Sequence, residues 1–338
     1  MNSTPPPSSR HTVSASDPRP ESGELYDAVV IGAGPAGLSA AVALGRARRR
    51  VLIIDAGSPR NRAASHLHTV LGHEGLDPAE LLRTGRQEAL SYGADLVPGV
   101  VARVSEASVE SGPVTLTVTL EDGSQVLGRA VIAAGGLTDE LPDVPGLAEH
   151  WGSSVLHCPY CHGWEVRDKR LGVLAAGPMA LHQAELLRQW TDRLTFFSAG
   201  AEPLSEETTR RLRARSVAIE PAVVTAVHGE GGAVTAVALA DGREVPVDAI
   251  FTAGALRPHD APLEELGLAR SATPMGEFLS VDRTGRTSHP RVWAVGNISD
   301  PAANVVMSMS AGTFAGATAN MTLVSEDFDL AESISIPG

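Results

Sequence analysis

Cys158 and Cys161 are the only two cysteines in 338 residues, and they lie together in His157-Cys158-Pro159-Tyr160-Cys161-His162-Gly163. A lone CxxC pair suits redox work: two sulfurs this close can close a disulfide and reopen it as a dithiol. A four-sulfur metal centre needs two more thiolates than the chain has, so no metal is expected. The bland alternative is two buried thiols acting as small hydrophobes. Exchange runs through thiolates, so a base beside the pair is expected. His157 and His162 flank the motif, with His162 the first choice. An imidazolium would stabilise a neighbouring thiolate, and a neutral ring would take a proton from an incoming thiol. The alternative is that one of them merely hydrogen-bonds the backbone.

A redox pair needs a partner for its electrons, and the N-terminal part of the ordered sequence offers one. The apolar run Ala28-Val29-Val30-Ile31 leads into Gly32-Ala33-Gly34-Pro35-Ala36-Gly37, then an alanine-rich helical stretch to about Arg48. A second apolar run, Val51 to Ile54, closes on Asp55, 18 positions after Gly37. Strand, glycine turn, helix, strand and acid in that order make an adenine-dinucleotide fingerprint. The glycines allow a tight turn and close approach of a pyrophosphate to the helix N-terminus, and the acid meets a ribose.

The pattern recurs. Leu171 to Leu174 is the strand, Ala175-Ala176-Gly177-Pro178-Met179-Ala180 the turn, Leu181 to Trp190 the helix, and Leu194 to Phe197 the next strand. This copy is damaged. Ala175 replaces the first glycine, and Ser198-Ala199-Gly200 follows Phe197 where an acid would hold the ribose of NAD or a basic cluster the 2′-phosphate of NADP. Two such units in one chain point to an FAD-binding flavoprotein oxidoreductase.

Two further strand-to-glycine segments are Arg129 to Gly136 and Asp248 to Gly254. A third, Val292 to Asn297, precedes a helix rich in Ala, Ser, Met and Gly from about Asn304 to Asn320. The expected fold is α/β: two dinucleotide-binding, Rossmann-like three-layer domains, the second inserted into the first. The FAD domain takes residues 25–140 and 268–330, and a degenerate nicotinamide-type domain carrying the CxxC takes 141–267. The stretches 101–127 and 219–247 alternate like antiparallel strands, with turns at Asp122-Gly123 and Asp241-Gly242. Phe251, Trp293, Met307 and Met309 read as core or interface packing.

Composition narrows the partners. The net charge is −13, and the basic run Arg46 to Arg50 sits at a helix end, so nucleic acid is not an expected partner. Apolar residues make up 43% of the chain, enough for real cores, yet no apolar run is long enough to span a bilayer. Residues 1–24 read as a polar, proline-rich leader rather than a signal peptide. The cytoplasm is the expected location, where a CxxC is more often catalytic than structural.

These motifs resemble the low-molecular-weight thioredoxin reductases. Gly32 to Gly37, Ala133-Ala134-Gly135-Gly136, Cys158-Pro159-Tyr160-Cys161 and Ala294-Val295-Gly296-Asn297 fall in that family's order. The resemblance implies a homodimer and an FAD site drawing on Gly32, Gly34, Pro35, Ala36, Gly37, Asp55, Ala56, Asn61, His68, Ala134, Gly135, Gly296, Asn297, Asn304 and Val305. It places His66 beside the flavin with His68, making His66 and Tyr160 candidates for the substrate entrance. It also implies that Cys161 faces the flavin while Cys158 forms the mixed disulfide.

The departures from the reductases matter as much. Pro159-Tyr160 stands where they carry Ala-Thr, and Asn297 replaces an Asp; its amide is expected to donate to a phosphate oxygen. Their His-Arg-Arg motif for NADPH is absent after Phe197. Cys158-Pro159-Tyr160-Cys161-His162-Gly163 is similar instead to the Cys-Pro-x-Cys-His-Gly motif of FAD-dependent dithiol oxidases that close disulfides in natural products such as gliotoxin and holomycin. That resemblance implies a small dithiol substrate, O2 as acceptor, H2O2 as product and no use of NAD(P)H. The alternatives are an NADPH-dependent thioredoxin or disulfide reductase and a redox-inactive flavin-binding interaction protein.

Overall fold

The computed structural model describes residues 22–107 and 115–335. Of the leader expected over 1–24, residues 1–21 lie outside the described ones. The first domain begins with β1 (Leu25–Ile31), α1 (Pro35–Arg46), β2 (Val51–Asp55), α2 (Pro78–Ser91) and β3 (Asp95–Pro98). It continues with β4 (Val101–Glu106), β5 (Leu116–Leu120) and β6 (Gln125–Ala133). The sheet order is β3-β2-β1-β6-β5-β4. β1 lies parallel to both β2 and β6 and is covered on both faces, which is why Ala28 to Ile31 is a continuous apolar run rather than an alternating one. β4, β5 and β6 form an antiparallel meander, with Gly123 at φ +85° in the turn expected at Asp122-Gly123.

β7 (Leu137–Glu140) leads out of this domain. The insert follows as β8 (Val155–Leu156), α3 (Pro159–His162), β9 (Leu171–Leu174), α4 (Ala180–Leu187), β10 (Leu194–Phe197), α5 (Glu206–Ala214) and β11 (Ala218–Glu220). β12 (Val224–Glu230), β13 (Ala233–Leu239), β14 (Glu244–Pro246), β15 (Ala249–Thr252) and β16 (Ala255–Pro258) complete it. A parallel sheet in the order β11-β10-β9-β15-β8 carries helices on one face and the β12-β13-β14 meander on the other. β16 pairs antiparallel with β7, so the two linkers run side by side. β17 (Arg270–Thr273), β18 (Gly276–Leu279) and β19 (Val292–Ala294) return the chain to the first domain, where β19 joins β6 in parallel. The molecule is thus two Rossmann-like three-layer units, one inserted into the other.

Two boundaries differ from the sequence expectation. Residues Ala261–Leu266, counted with the insert, form a 3₁₀ turn whose Leu263 and Leu266 pack into the core beneath the first sheet. The insert therefore gives way to the first domain before residue 267. The last helix, α6 (Val305–Ser335), runs well past Asn320. Its extension is held by charge: Glu326 and Asp327 meet Arg129 at 2.7 and 2.6 Å, Asp327 meets Arg49 at 2.8 Å, and Glu326 meets Arg291. Arg49, from the basic run, is therefore engaged within the fold.

α6 crosses α1 at close range. A Cβ at Gly312 would stand 1.9 Å from the Ala36 carbonyl, and one at Gly316 2.7 Å from that of Ala40. The small residues of both helices let the backbones meet, which holds α1 rigid behind its glycine turn. Phe251 and Trp293 are fully buried, and Met307 is exposed on α6. Among the described residues no helix is long and apolar enough to cross a membrane.

Candidate active site

The cysteine pair sits where β8 ends and α3 begins. Cys158 is the N-cap of α3, with extended φ/ψ, and its Sγ accepts the Cys161 backbone N–H at 3.2 Å. Pro159 at the first helical position costs no hydrogen bond there. α4 supports this turn from below. The amide Nε2 of Gln183, a residue only 5% exposed, donates to the His157 carbonyl at 2.8 Å. Trp190, just after α4, packs edge-on against Tyr160 with ring centroids 5.9 Å apart. Gly163 leaves room for that indole: a Cβ there would lie 2.8 Å from it.

Both cysteines are free thiols and partly buried. The Cys158 thiol is pulled down to about 7, first by the S–H hydrogen bond from Cys161, then by the backbone N–H groups of Cys161 and Tyr160 and the charge of Arg60, against the opposing effect of burial. Cys161 is pushed up by giving that hydrogen bond and by burial. In the reduced pair Cys158 thus carries the negative charge and Cys161 the shared proton. His157 and His162 are both shifted down, chiefly by burial; Arg60 adds to the effect at His157, and Glu165 opposes it at His162. Both rings are neutral at pH 7, the form that accepts a proton.

The two domains meet above this turn. His68, in the loop after β2, places Nδ1 2.6 Å from Glu74 and Nε2 3.6 Å from Glu165 of the insert. Its ring is therefore engaged by carboxylates from both domains. The His66 ring lies 6.5 Å from that of His68. Tyr160 and Trp164 are exposed, and the Arg167 guanidinium stacks 4.0 Å over Trp164.

The first glycine turn has the shape a dinucleotide needs. Gly32 has φ +99°, and a Cβ there would lie 2.6 Å from the Ala134 carbonyl; a Cβ at Gly37 would strike the Gly32 carbonyl at 1.9 Å. At Gly34, by contrast, a Cβ would meet nothing within 4 Å. That open side faces the start of α1, whose N-terminus has no side-chain cap, leaving its amides for a pyrophosphate. Asp55 accepts the Ala33 N–H at 3.0 Å and pairs with Arg86 at 2.7 Å. Both border a cavity of about 360 Å³ that also takes in Ala56, Gly57 and Pro98. These residues fit the adenosine and pyrophosphate of FAD.

The remaining expected FAD residues are spread around the same end of the sheet. Gly135 packs under His259. Gly296 approaches Ala36, with its built Cβ 3.1 Å from that side chain, which brings Gly296 and Asn297 to the first turn of α1. Asn297 does not have its amide free for phosphate: Nδ2 donates to the carbonyls of Asp300 at 3.0 Å and Ala303 at 2.9 Å, tying down the loop ahead of α6. Asn304 caps α6, accepting the Met307 N–H at 3.0 Å, and Val305 is the first residue of that helix. Asn61 lies in the 3₁₀ turn Arg60–Ala63.

The second turn departs from the first. Ala175 is buried at the first position, and Gly200 presses on its carbonyl, where a Cβ would come within 2.1 Å. Gly177 faces the Ala253 carbonyl rather than open space. Ser198, standing where an acid would serve a ribose, donates its N–H to Glu220 O at 2.9 Å.

Residues 26–316 match the family model of the pyridine nucleotide-disulphide oxidoreductases. The chain belongs to that family. Its relatives include thioredoxin reductase tcpT of Claviceps purpurea, 32% identical, covering 89% of this chain and 95% of that protein. Thioredoxin reductase sirT of Leptosphaeria maculans is 33% identical, covering 92% and 98%. Among solved structures HlmI superposes with a TM-score of 0.87 at 42% identity, over 93% of this chain and 96% of that one. An oxidoreductase from Agrobacterium tumefaciens gives 0.82 at 37% identity, over 88% and 98%. This family member is an FAD-binding, thioredoxin reductase-like enzyme of thiol–disulfide exchange.

Several residues of this site escaped the sequence reading: Arg86 beside Asp55, Glu165 beside His68, Gln183 beneath His157, and the pair Arg60 and Asp139. Glu165 had a local signal, four residues after Cys161. The others had none, because each reaches the site from a distant segment.

Proposed function

We propose that the protein is a dithiol oxidase that closes an intramolecular disulfide in a small natural-product dithiol, with O2 as acceptor and H2O2 as product. The observation that carries this reading is a CxxC turn seated on a second dinucleotide-type unit that lacks the first glycine and the ribose acid. Substrate electrons then have an entry at Cys158, while NAD(P)H lacks one, and nicotinamide is not used. The competing reading is an NADPH-dependent disulfide reductase, supported by the relatives named thioredoxin reductase.

A substrate thiolate attacks Sγ of Cys158 in the oxidised pair, forming a substrate–Cys158 bond and breaking the Cys158–Cys161 bond. The second substrate thiolate then attacks the substrate sulfur of that mixed disulfide and expels Cys158. A leaving thiol with a pKa near 7 departs readily, so the low value at Cys158 favours this second step. Neutral His162 takes a substrate proton, and Glu165 favours the imidazolium that results. Bound FAD supplies the two-electron link between the reduced pair and oxygen.

Pairing into a homodimer is supported by α6. Met307, Phe314, Met321 and Phe328 recur every seventh residue and all stand exposed, Phe328 at 75%, with Val324 beside them. Such a stripe suits a helix packed against its own copy.

The test is oxygen uptake with a panel of small dithiols. Each mole of disulfide formed should consume one mole of O2 and release one of H2O2. Failure of every dithiol to drive oxygen uptake by the FAD-loaded enzyme would reject the oxidase reading.

A further inference from the structure

The loop between β2 and α2 closes on itself. Leu67 donates its N–H to the Leu76 carbonyl at 2.7 Å, and Gly75 donates back to the Leu67 carbonyl at 2.8 Å. Leu67 and Val70 are buried and anchor the loop. Thr69 stands at φ +63°, a left-handed conformation unfavourable for a β-branched residue, and its N–H donates to Glu74 Oε2 at 3.2 Å. Such a conformation persists where its surroundings enforce it, and here it fixes the backbone next to His68. The His68 ring is engaged through both nitrogens. Nδ1 lies 2.6 Å from Oε1 of Glu74 in the same loop, and Nε2 3.6 Å from Oε1 of Glu165 in the insert. The His68 side chain is 18% exposed. Glu165 stands four residues after Cys161, on a segment fastened to the insert: Val166 is buried in the insert's core, and the Asp168 N–H donates to the Trp190 carbonyl at 2.8 Å. A neutral imidazole carries one N–H and can serve one carboxylate, whereas the imidazolium carries two and can serve both. Elsewhere between the domains the contact is uncharged: a Cβ on Gly152 of the insert would lie 2.6 Å from Ala63.

We propose that His68 is a positioning residue: as an imidazolium clasped between Glu74 and Glu165, it docks the insert's CxxC turn onto the first domain. The inference goes beyond the oxidase reading and rests on neither its substrate nor its electron acceptor. The titratable groups that face the ring are Glu74 and His66 of its own segment and Glu165 and His162 of the insert. Carboxylates are charged throughout the range, roughly pH 5 to 8, in which a histidine changes charge. Docking is therefore complete while the ring holds both protons and is lost as rising pH removes one. Glu74 shows the same pull from its own side: the hydrogen bond from His68 holds its carboxyl below the usual range.

The test is amide hydrogen exchange of the FAD-loaded protein, read by mass spectrometry at about pH 5.5 and about pH 8.5, either side of the histidine range, with each rate divided by the intrinsic rate at that pH. Two segments report: the loop 66–76 of the first domain and the turn 163–169 of the insert. In the wild type both should be protected about threefold better at the lower pH, the size expected of a partly exposed ion pair. His68→Gln should speed exchange of the turn at the lower pH and match the wild type at the higher one. A purely steric role would loosen the turn at both. His68→Lys, whose charge persists, should keep the turn protected at the higher pH. Because coupling between two sites is reciprocal, Glu165→Gln should loosen the loop 66–76 at the lower pH. A turn 163–169 that does not respond to His68→Gln would overturn the proposal, as would a pH difference in that turn surviving the substitution. Should His68→Gln fail to fold, Glu165→Gln decides alone: faster exchange in the loop at the lower pH supports the docking role, and an unchanged loop rejects it. The readout requires no turnover, so failure of the oxidase reading would leave it intact.

Discussion

The chain holds two dinucleotide-type units of the same design, and only the first keeps the full glycine turn and the acid after its second strand. In the first, the middle glycine opens onto empty space before α1, and Asp55 waits at the end of the next strand. In the second, Ala175 stands in place of the first glycine, and Ser198 bonds its own neighbour strand. The sheet and helix beneath are intact in both, because their packing depends on apolar runs and not on the turn. What has changed is the use of the helix. α1 presents its N-terminus to a phosphate, whereas α4 presents Gln183, and the chain after it Trp190, to the underside of the CxxC turn. The second unit serves as the seat of the CxxC turn.

The sharpest way to break this contrast is at the sulfurs. Cys158→Ser and Cys161→Ser should each abolish turnover while the purified proteins stay yellow, since exchange needs both sulfurs and the FAD cradle neither. Oxygen uptake and flavin absorbance measured on the same samples check both halves.

At the turns themselves, Gly34→Val should weaken FAD binding by about 100-fold, because a branched side chain would fill the space left for the pyrophosphate. The matching change in the second turn, Ala176→Val, should leave FAD content and dithiol turnover within about twofold of wild type. Flavin titration of the apoprotein, paired with steady-state rates, reads both. Comparable loss in the second variant would mean that the second turn still serves a ligand.

His162→Ala should slow dithiol oxidation by about 10²- to 10⁴-fold if the ring is the base. Burial holds its pKa below the usual histidine value, so the neutral, active form is lost only as pH falls through that lowered value. The acid limb of kcat/KM should therefore lie below pH ~6.5. The smallest effect is at Glu165. Its carboxylate raises the His162 pKa, so Glu165→Gln should move the acid limb further down. A limb that moves up instead would remove Glu165 from the base's surroundings.

Much of this was legible in the sequence, and the limit is a physical one. The fingerprint from Gly32 to Asp55 could be read because a turn, a helix start and a strand end are fixed by neighbours along the chain. The departures of the second turn at Ala175 and Ser198 could be read for the same reason. The fork between Arg60 and Asp139 could not be read, since 79 residues separate its members and only the docking of the linker brings them together. The amide of Asn297 shows a subtler limit. Its position near α1 followed from its strand, but the direction of its hydrogens depended on the loop from Asp300 to Ala303. The length of α6 was hidden likewise, because its last turns are held by arginines from α1's end, β6 and the approach to β19.

The central claim is that electrons enter at the cysteine pair and not through the second dinucleotide unit. It is tested most directly by mixing the FAD-loaded enzyme, without oxygen, with NADPH, with NADH and with a small dithiol, and following flavin absorbance. The account predicts no rapid bleaching by either nicotinamide, bleaching by the dithiol, and return of the colour with peroxide when air is admitted. Rapid bleaching by micromolar NADPH, with none by the dithiol, would contradict it.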